Sequence, residues 1–285
     1  VGEYYRRVYK DRLGFLSGDP DEAYLRSTDI PRTIESLQAL LLGLYGGEGG
    51  EYVVHTRDAK AENMFGRSGC KMLQELKRKL HDTEAYVRAT AHGDEELYRA
   101  LGVSKRSVQG LNNTIESIIL HADTHLRHLR ENIVNPTVPP GPPSQAVPGP
   151  SRGDPLAHVD EDLVFRLRQR AGYQLGANYR DSVVTRLSIG RFLREVHEAI
   201  LAGSAGRGGK KKFYLYMGHD NTLAPLLGAL SCFDGLNPPI GAQVVLEVFA
   251  KTDVEGEFYV RLLYNGRPLN LASAIGAEYK GGGAA

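Results

Sequence analysis

The order of sequence patterns in this 285-residue chain predicts an α/β fold, a mostly parallel central sheet flanked by helices, with an inserted α-helical cap. Three observations carry the prediction. The first 56 residues alternate helix-type and strand-type patterns. From Asp58 to about Asn135 the patterns are helical alone. The apolar run "KFYLYM" then resembles a strand buried on both faces, the kind found inside parallel sheets.

Each element has a local reason. Tyr4, Tyr5, Val8, Leu13 and Leu16 recur at helical intervals, so the chain opens on an amphipathic helix running to Gly14, followed by a short extended piece, "AYLRS". In "STDIPRTIESLQALLLGLYGG", Ser27, Thr28 and Asp29 are N-cap types, Pro31 suits a first turn, and Ile34, Leu37, Leu41 and Leu44 form one apolar face. Gly46-Gly47 ends that helix, and "EYVVHT" is expected as a short strand. The helical patterns "CKMLQELKRKLHD", "EELYRALGV" and "NNTIESIILHADTHLRHLRENIV" come next, then a proline-rich stretch over 135–155 that suits a mobile loop. Helices resume at "DEDLVFRLRQRAGYQL" and "VVTRLSIGRFLREVHEAILAG". After "KFYLYM" a helix starts near Asn221 or Thr222, and "AQVVLEVFA" and "EFYVRLLYNG" return to strand around a turn at "TDVEGE". The expected organisation is an α/β core over 1–58 and 205–285 with a helical cap over 59–204 inserted between its halves.

Composition excludes more than it selects. Thirty-five Lys and Arg against 34 Asp and Glu leave a net charge of +1, with no global attraction for nucleic acid or an anionic membrane, so any anion site must be local. Cys70 and Cys232 are the only cysteines, which leaves one bridge open and gives no disulfide framework. No run approaches the ~18 apolar residues of a membrane span, and the first residues lack a signal-peptide core. The histidines show no metal-ligand spacing. Asn112-Asn113-Thr114 is a lone glycosylation sequon of low specificity.

Two clusters sit where strands give way to helices. His219-Asp220 follows "KFYLYM" and precedes an apolar helix, at the carboxyl end of a strand where α/β sheets bind ligands and helix N-termini attract anions. The bland alternative makes Asp220 a cap and His219 a satisfied core histidine. Arg26-Ser27-Thr28-Asp29 with Arg32 forms the second junction, where a guanidinium fork would match two phosphate oxygens. There the alternative is a structural pair of Arg26 or Arg32 with Asp29. Together the clusters favour a phosphate site over two unrelated caps.

These residues carry a resemblance. "YLRSTDIPRTIESLQALLLGLY" with "LYMGHDNTLAPLLGAL" resembles the histidine acid phosphatase family, the branch of the histidine phosphatase superfamily with an H-D motif. Over nearly the whole chain, the proline-rich stretch apart, the segment order is most similar to the lysophosphatidic acid phosphatase type and to fungal acid phosphatases. The resemblance implies an α/β core with a helical cap, and phosphomonoester hydrolysis through a phosphohistidine without cofactor or metal. It implies Arg26 and His219 as phosphate-binding contacts, and His219 and Asp220 as catalytic residues, Asp220 being the proton donor to the leaving group. The adjacent acid sets this branch apart from the mutases. The implied partner is a small phosphomonoester, with a lysophospholipid favoured slightly, and no nucleic acid.

One family feature is missing. The family nucleophile is the histidine of R-H-G-x-R-x-P on a first strand, and this sequence contains no R-H-G. His92 and His128 lie in polar helical surroundings and are expected to be solvated. "VGEYYRRVYKDRLGFL" resembles the helix after the nucleophile strand, so the expectation is a chain that begins downstream of it. The competing explanation is a member that has lost chemistry and kept phosphate binding or a scaffolding role.

Overall fold

A computed structural model describes residues 1–46, 51–66, 70–88, 115–116, 118–119 and 160–271. The 135–155 loop, the sequon, His92 and His128 lie outside these residues. The fold is mixed α/β, with a parallel sheet flanked by helices.

Helix α1 spans Gly2–Tyr5 and continues through a wider π-type coil over Arg6–Arg12. Strand β1 is Ala23–Ser27, α2 is Pro31–Tyr45, β2 is Val54–His55 and α3 is Lys71–His81. Helices α4 (Glu161–Asn178) and α5 (Ser182–Ser204) lead to strand β3 (Phe213–Met217) and helix α6 (Asp220–Ala229). Strands β4 (Val244–Ala250), β5 (Phe258–Tyr264) and β6 (Arg267–Leu269) close the described chain.

The described residues form two compact units. The first comprises Val1–Lys71, Arg186–Thr222 and Val248–Val260. It holds the parallel sheet in the order β2-β1-β3, with Leu25 opposite Val54 and Ala23 through Ser27 opposite Phe213 through Met217. Alternation along the strands assigns the faces. Phe213 meets Tyr5 and Tyr9 of the first helix, whereas Tyr216, three residues on and so on the opposite face, meets Phe192 of α5 at 5.0 Å. Leu16, Leu25, Leu37 and Leu44 are buried beside them. β3 is partly exposed along its length rather than buried on both faces, because it ends the sheet and pairs with β1 alone among the described strands.

The second unit comprises Met72–Thr185, Leu223–Glu247 and Arg261–Ala285. Asp160 caps α4 by accepting from the Leu163 amide at 2.8 Å, and Leu163, Val164, Leu167 and Leu227 are buried. Strands β4, β5 and β6 make a separate sheet in that order and do not extend the parallel one. β6 was not foreseen. It is three residues long, and its signal is the Asn265-Gly266 turn, where both φ angles are positive and β5 reverses into an antiparallel partner.

The residues marked as caps also behave differently from expectation. Ile30 is the N-cap of α2 and contributes no side-chain bond, although Pro31 does open the first turn and Gly46 closes the helix at φ 72°. Ser27, Thr28 and Asp29 stand before that cap, and Thr28 is occupied elsewhere. Cys70 and Cys232 are both free thiols. No helix among the described residues is long and apolar enough to cross a membrane.

Candidate active site

The parallel register brings the two junctions together. Ser27 and Met217 are the last paired residues of β1 and β3, and the Thr28 amide extends the ladder by donating to the Met217 carbonyl at 3.1 Å. Thr28 and His219 therefore leave the sheet side by side. Gly218 permits the exit: a Cβ there would stand 2.6 Å from Thr222 Oγ1, the oxygen that accepts from the His219 amide at 3.0 Å. Thr222 thus reaches back to the strand end, and α6 begins at Asp220.

His219 stands in a directional relay. An arginine can only donate, so the 3.4 Å contact from Arg32 NH2 makes Nδ1 the acceptor and leaves the proton on Nε2. That Nε2–H donates to Thr28 Oγ1 at 3.0 Å, and Thr28 donates to Thr33 Oγ1 at 2.8 Å. Thr33 donates onward to the Ile30 carbonyl, also at 2.8 Å, which can only accept. Both ends of the chain accordingly specify the same tautomer. Phe65 lies 5.7 Å from the imidazole at an interplanar angle of 66°.

Partial burial holds the His219 pKa below the ordinary histidine value, and the Arg32 charge adds to that; Asp220 and Glu62 pull the other way. As pH falls, the unfolded chain takes this proton before the folded one. The stability His219 contributes is intact above about pH 6.5 and declines as pH drops through the lower folded value. An oxyanion beside the ring would favour the imidazolium and raise that value. We expect an NMR titration of the His219 ring protons to give a midpoint below about 6.5 without ligand, and a higher one with saturating sulfate, which does not itself titrate in this range.

Arg26, the phosphate contact that the resemblance implied, lies in the interior. Its parity on β1 turns it toward α5, and its side chain is 0% exposed. NH1 donates to Glu195 Oε1 and Oε2 at 2.8 and 2.9 Å, and NH2 donates to Glu62 Oε1 at 2.6 Å and Asn63 Oδ1 at 2.7 Å. Only the buried Nε has no partner among the described residues. The terminal donors of Arg26 are therefore spent on carboxylates and an amide, and the exposed guanidinium beside His219 is that of Arg32. Asp29 is exposed and joins no ion pair among the described residues, so neither arginine is tied to it.

Glu195 also takes Arg57 NH2 at 2.9 Å and Asn63 Nδ2 at 3.1 Å. Burial alone would raise its pKa. The hydrogen bonds from Asn63 and Arg26, with the charges of Arg26 and Arg57, outweigh that and hold it low. Arg26→Ala leaves the buried Glu62 carboxylate without an ion-pair partner among the described residues, while Glu195 keeps Arg57. It is expected to cost about 3–5 kcal/mol of stability, measured by urea unfolding.

Asp220 opens α6, exposed and adjacent to His219, with Oδ1 accepting the Asn221 amide at 2.7 Å. The first turn of a ten-residue helix favours negative charge at this point. Glu62, Asn63, Thr33, Phe65 and Glu195 were absent from the sequence reading. Thr33 follows Arg32 directly, but Glu195 stands 169 positions from Arg26 with no local signal.

A family model described as the histidine phosphatase superfamily (branch 2) matches residues 1–132 and 159–265. Lysophosphatidic acid phosphatase type 6 of Homo sapiens is 26% identical over 274 residues, covering 94% of this chain and 58% of the relative. A probable acid phosphatase of Dictyostelium discoideum is 24% identical over 328 residues, covering 99% of this chain and 64% of the relative. The chain thus spans about three fifths of the length of these curated relatives. Among solved structures, Hafnia alvei phytase in complex with tartrate superposes with a TM-score of 0.65 at 16% identity, over 92% of this chain and 71% of that one. Citrobacter braakii phytase gives 0.63 at 16% identity with the same coverage.

Proposed function

The chain belongs to branch 2 of the histidine phosphatase superfamily, and from that membership we propose that it serves phosphomonoester hydrolysis of the acid phosphatase type through a phosphohistidine. One observation carries the reading: Arg32, His219 and Asp220 converge at the carboxyl ends of adjacent parallel strands, the first two in contact and the third next in sequence.

In this scheme Arg32 and His219 hold the phosphoryl oxygens. The attacking histidine forms a bond to phosphorus as the bond to the alkoxide oxygen breaks, and protonated Asp220 gives its proton to that oxygen. Water then attacks phosphorus and loses a proton to the Asp220 carboxylate, and the histidine nitrogen leaves. No R-H-G occurs in the sequence, and we place the nucleophile on a strand outside it. The second edge of β3, unpaired among the described strands, has the five-residue length and parallel setting to receive such a strand. Residues 59–204 are then a helical cap inserted between the two halves of the α/β core.

The substrate is a small phosphomonoester. Likeness to the lysophosphatidic acid phosphatases makes a lysophospholipid the first candidate. Joining an R-H-G-x-R-x-P strand ahead of Val1 is expected to yield hydrolysis of an aryl phosphate at acidic pH, with phosphate trapped on histidine by rapid quench. Absence of turnover in a folded joined protein would sink the reading. The missing R-H-G favours one rival, a phosphate-ligand binder without catalysis; it predicts oxyanion binding that depends on Arg32 and no turnover in either form.

A further inference from the structure

We propose that Arg26 is a positioning residue: it ties the 62–65 loop to β1 and thereby holds Phe65 against His219. The path is short and every link is a contact. Glu62 Oε1 receives Arg26 NH2 at 2.6 Å and the amides of Asn63 and Met64 at 2.7 and 2.8 Å, so one oxygen binds the strand to two successive peptide units. Asn63 is gripped a second time, its Oδ1 by Arg26 and its Nδ2 by Glu195. Met64 then drives its whole side chain into the interior, at 0% exposure. Phe65, the next residue, meets the imidazole of His219 at 5.7 Å.

A buried ion cluster contributes little net stability compared with apolar residues of similar volume. It does offer fixed directions, since a guanidinium fork and carboxylates bond only along set lines. Here those directions are used on backbone amides of the segment that ends at the His219 ring. Arg26 itself hydrogen-bonds Glu62, Asn63 and Glu195 and not His219. The inference rests on the phosphatase reading only for what the orientation serves.

The test is made on the full chain by NMR at about pH 8, where a histidine with a depressed pKa is neutral. Phe65→Leu defines where the His219 Hδ2 and Hε1 resonances fall without the aromatic neighbour. Glu62→Gln, which keeps the shape, and Arg26→Lys, which keeps the charge but not the guanidinium fork, are expected to move the same two resonances toward those positions while the rest of the amide spectrum stays folded. A role confined to stability would leave them in place. Either variant that folds with wild-type His219 ring shifts overturns the proposal. Inorganic phosphate titrated into the same samples is expected to bind about tenfold more weakly to the variants, as a displaced contact would require. Failure of the wild-type chain to bind phosphate at His219 would count against the phosphatase reading alone; the ring resonances would still decide the role of Arg26.

Discussion

Asp220→Asn, in the protein that carries the nucleophile, is expected to slow turnover of an alkyl phosphate by about 10²–10⁴-fold. It should slow an aryl phosphate with an acidic leaving group far less. The difference follows from where charge accumulates. An alkoxide is a poor leaving group until it is protonated, and the only carboxyl adjacent to His219 in sequence stands at the exposed N-terminus of α6. Asparagine keeps the size and the acceptor for the Asn221 amide but has no proton to give. Steady-state rates on a matched pair of alkyl and aryl substrates measure the effect. Equal losses on both would remove Asp220 from the role of acid.

Arg32→Ala is expected to lower kcat/KM by about 10²–10³-fold, the usual scale for deleting a donor aimed at developing charge. Its stability should remain within about 0.5 kcal/mol of the parent, because Arg32 is exposed and its side chain contacts His219 alone among the hydrogen bonds described. Arg26→Ala is expected to reverse the pattern, with a large loss of stability. Arg32→Lys should recover only part of the loss, since an ammonium cannot fork onto two oxygens. A further consequence separates Arg32 from a generic surface cation. Its charge helps hold the His219 pKa down, so its removal should raise the titration midpoint of that ring. An Arg32→Ala protein with normal kcat/KM and an unmoved His219 would show that the exposed guanidinium is not part of the site.

Much of this molecule was legible before its coordinates. The strand "AYLRS" spans β1 residue for residue, and Pro31 and Gly46 bound α2 as their backbone preferences require. The H-D pair did fall where β3 gives way to α6, with Asp220 opening the helix. What was missed lay beyond local pattern. β6 has three residues, too few to show a period, and it pairs in a sheet of its own. The cap-type residues misled because a threonine oxygen has several possible uses: Thr28, a plausible N-cap in sequence, is instead the acceptor for His219.

The choice between the two arginines marks the boundary most clearly. By itself the sequence determined that a cationic strand-to-helix junction and a His-Asp junction exist, in an α/β frame of parallel strands, because hydrophobic period, proline, glycine and motif spacing are local properties. Only the tertiary structure decided which arginine stands exposed beside His219. A strand puts alternate residues on opposite faces but does not say which face meets which helix. That was settled by Glu62 and Glu195, 36 and 169 positions away, which draw Arg26 inward and leave Arg32, in the first turn of α2, beside His219.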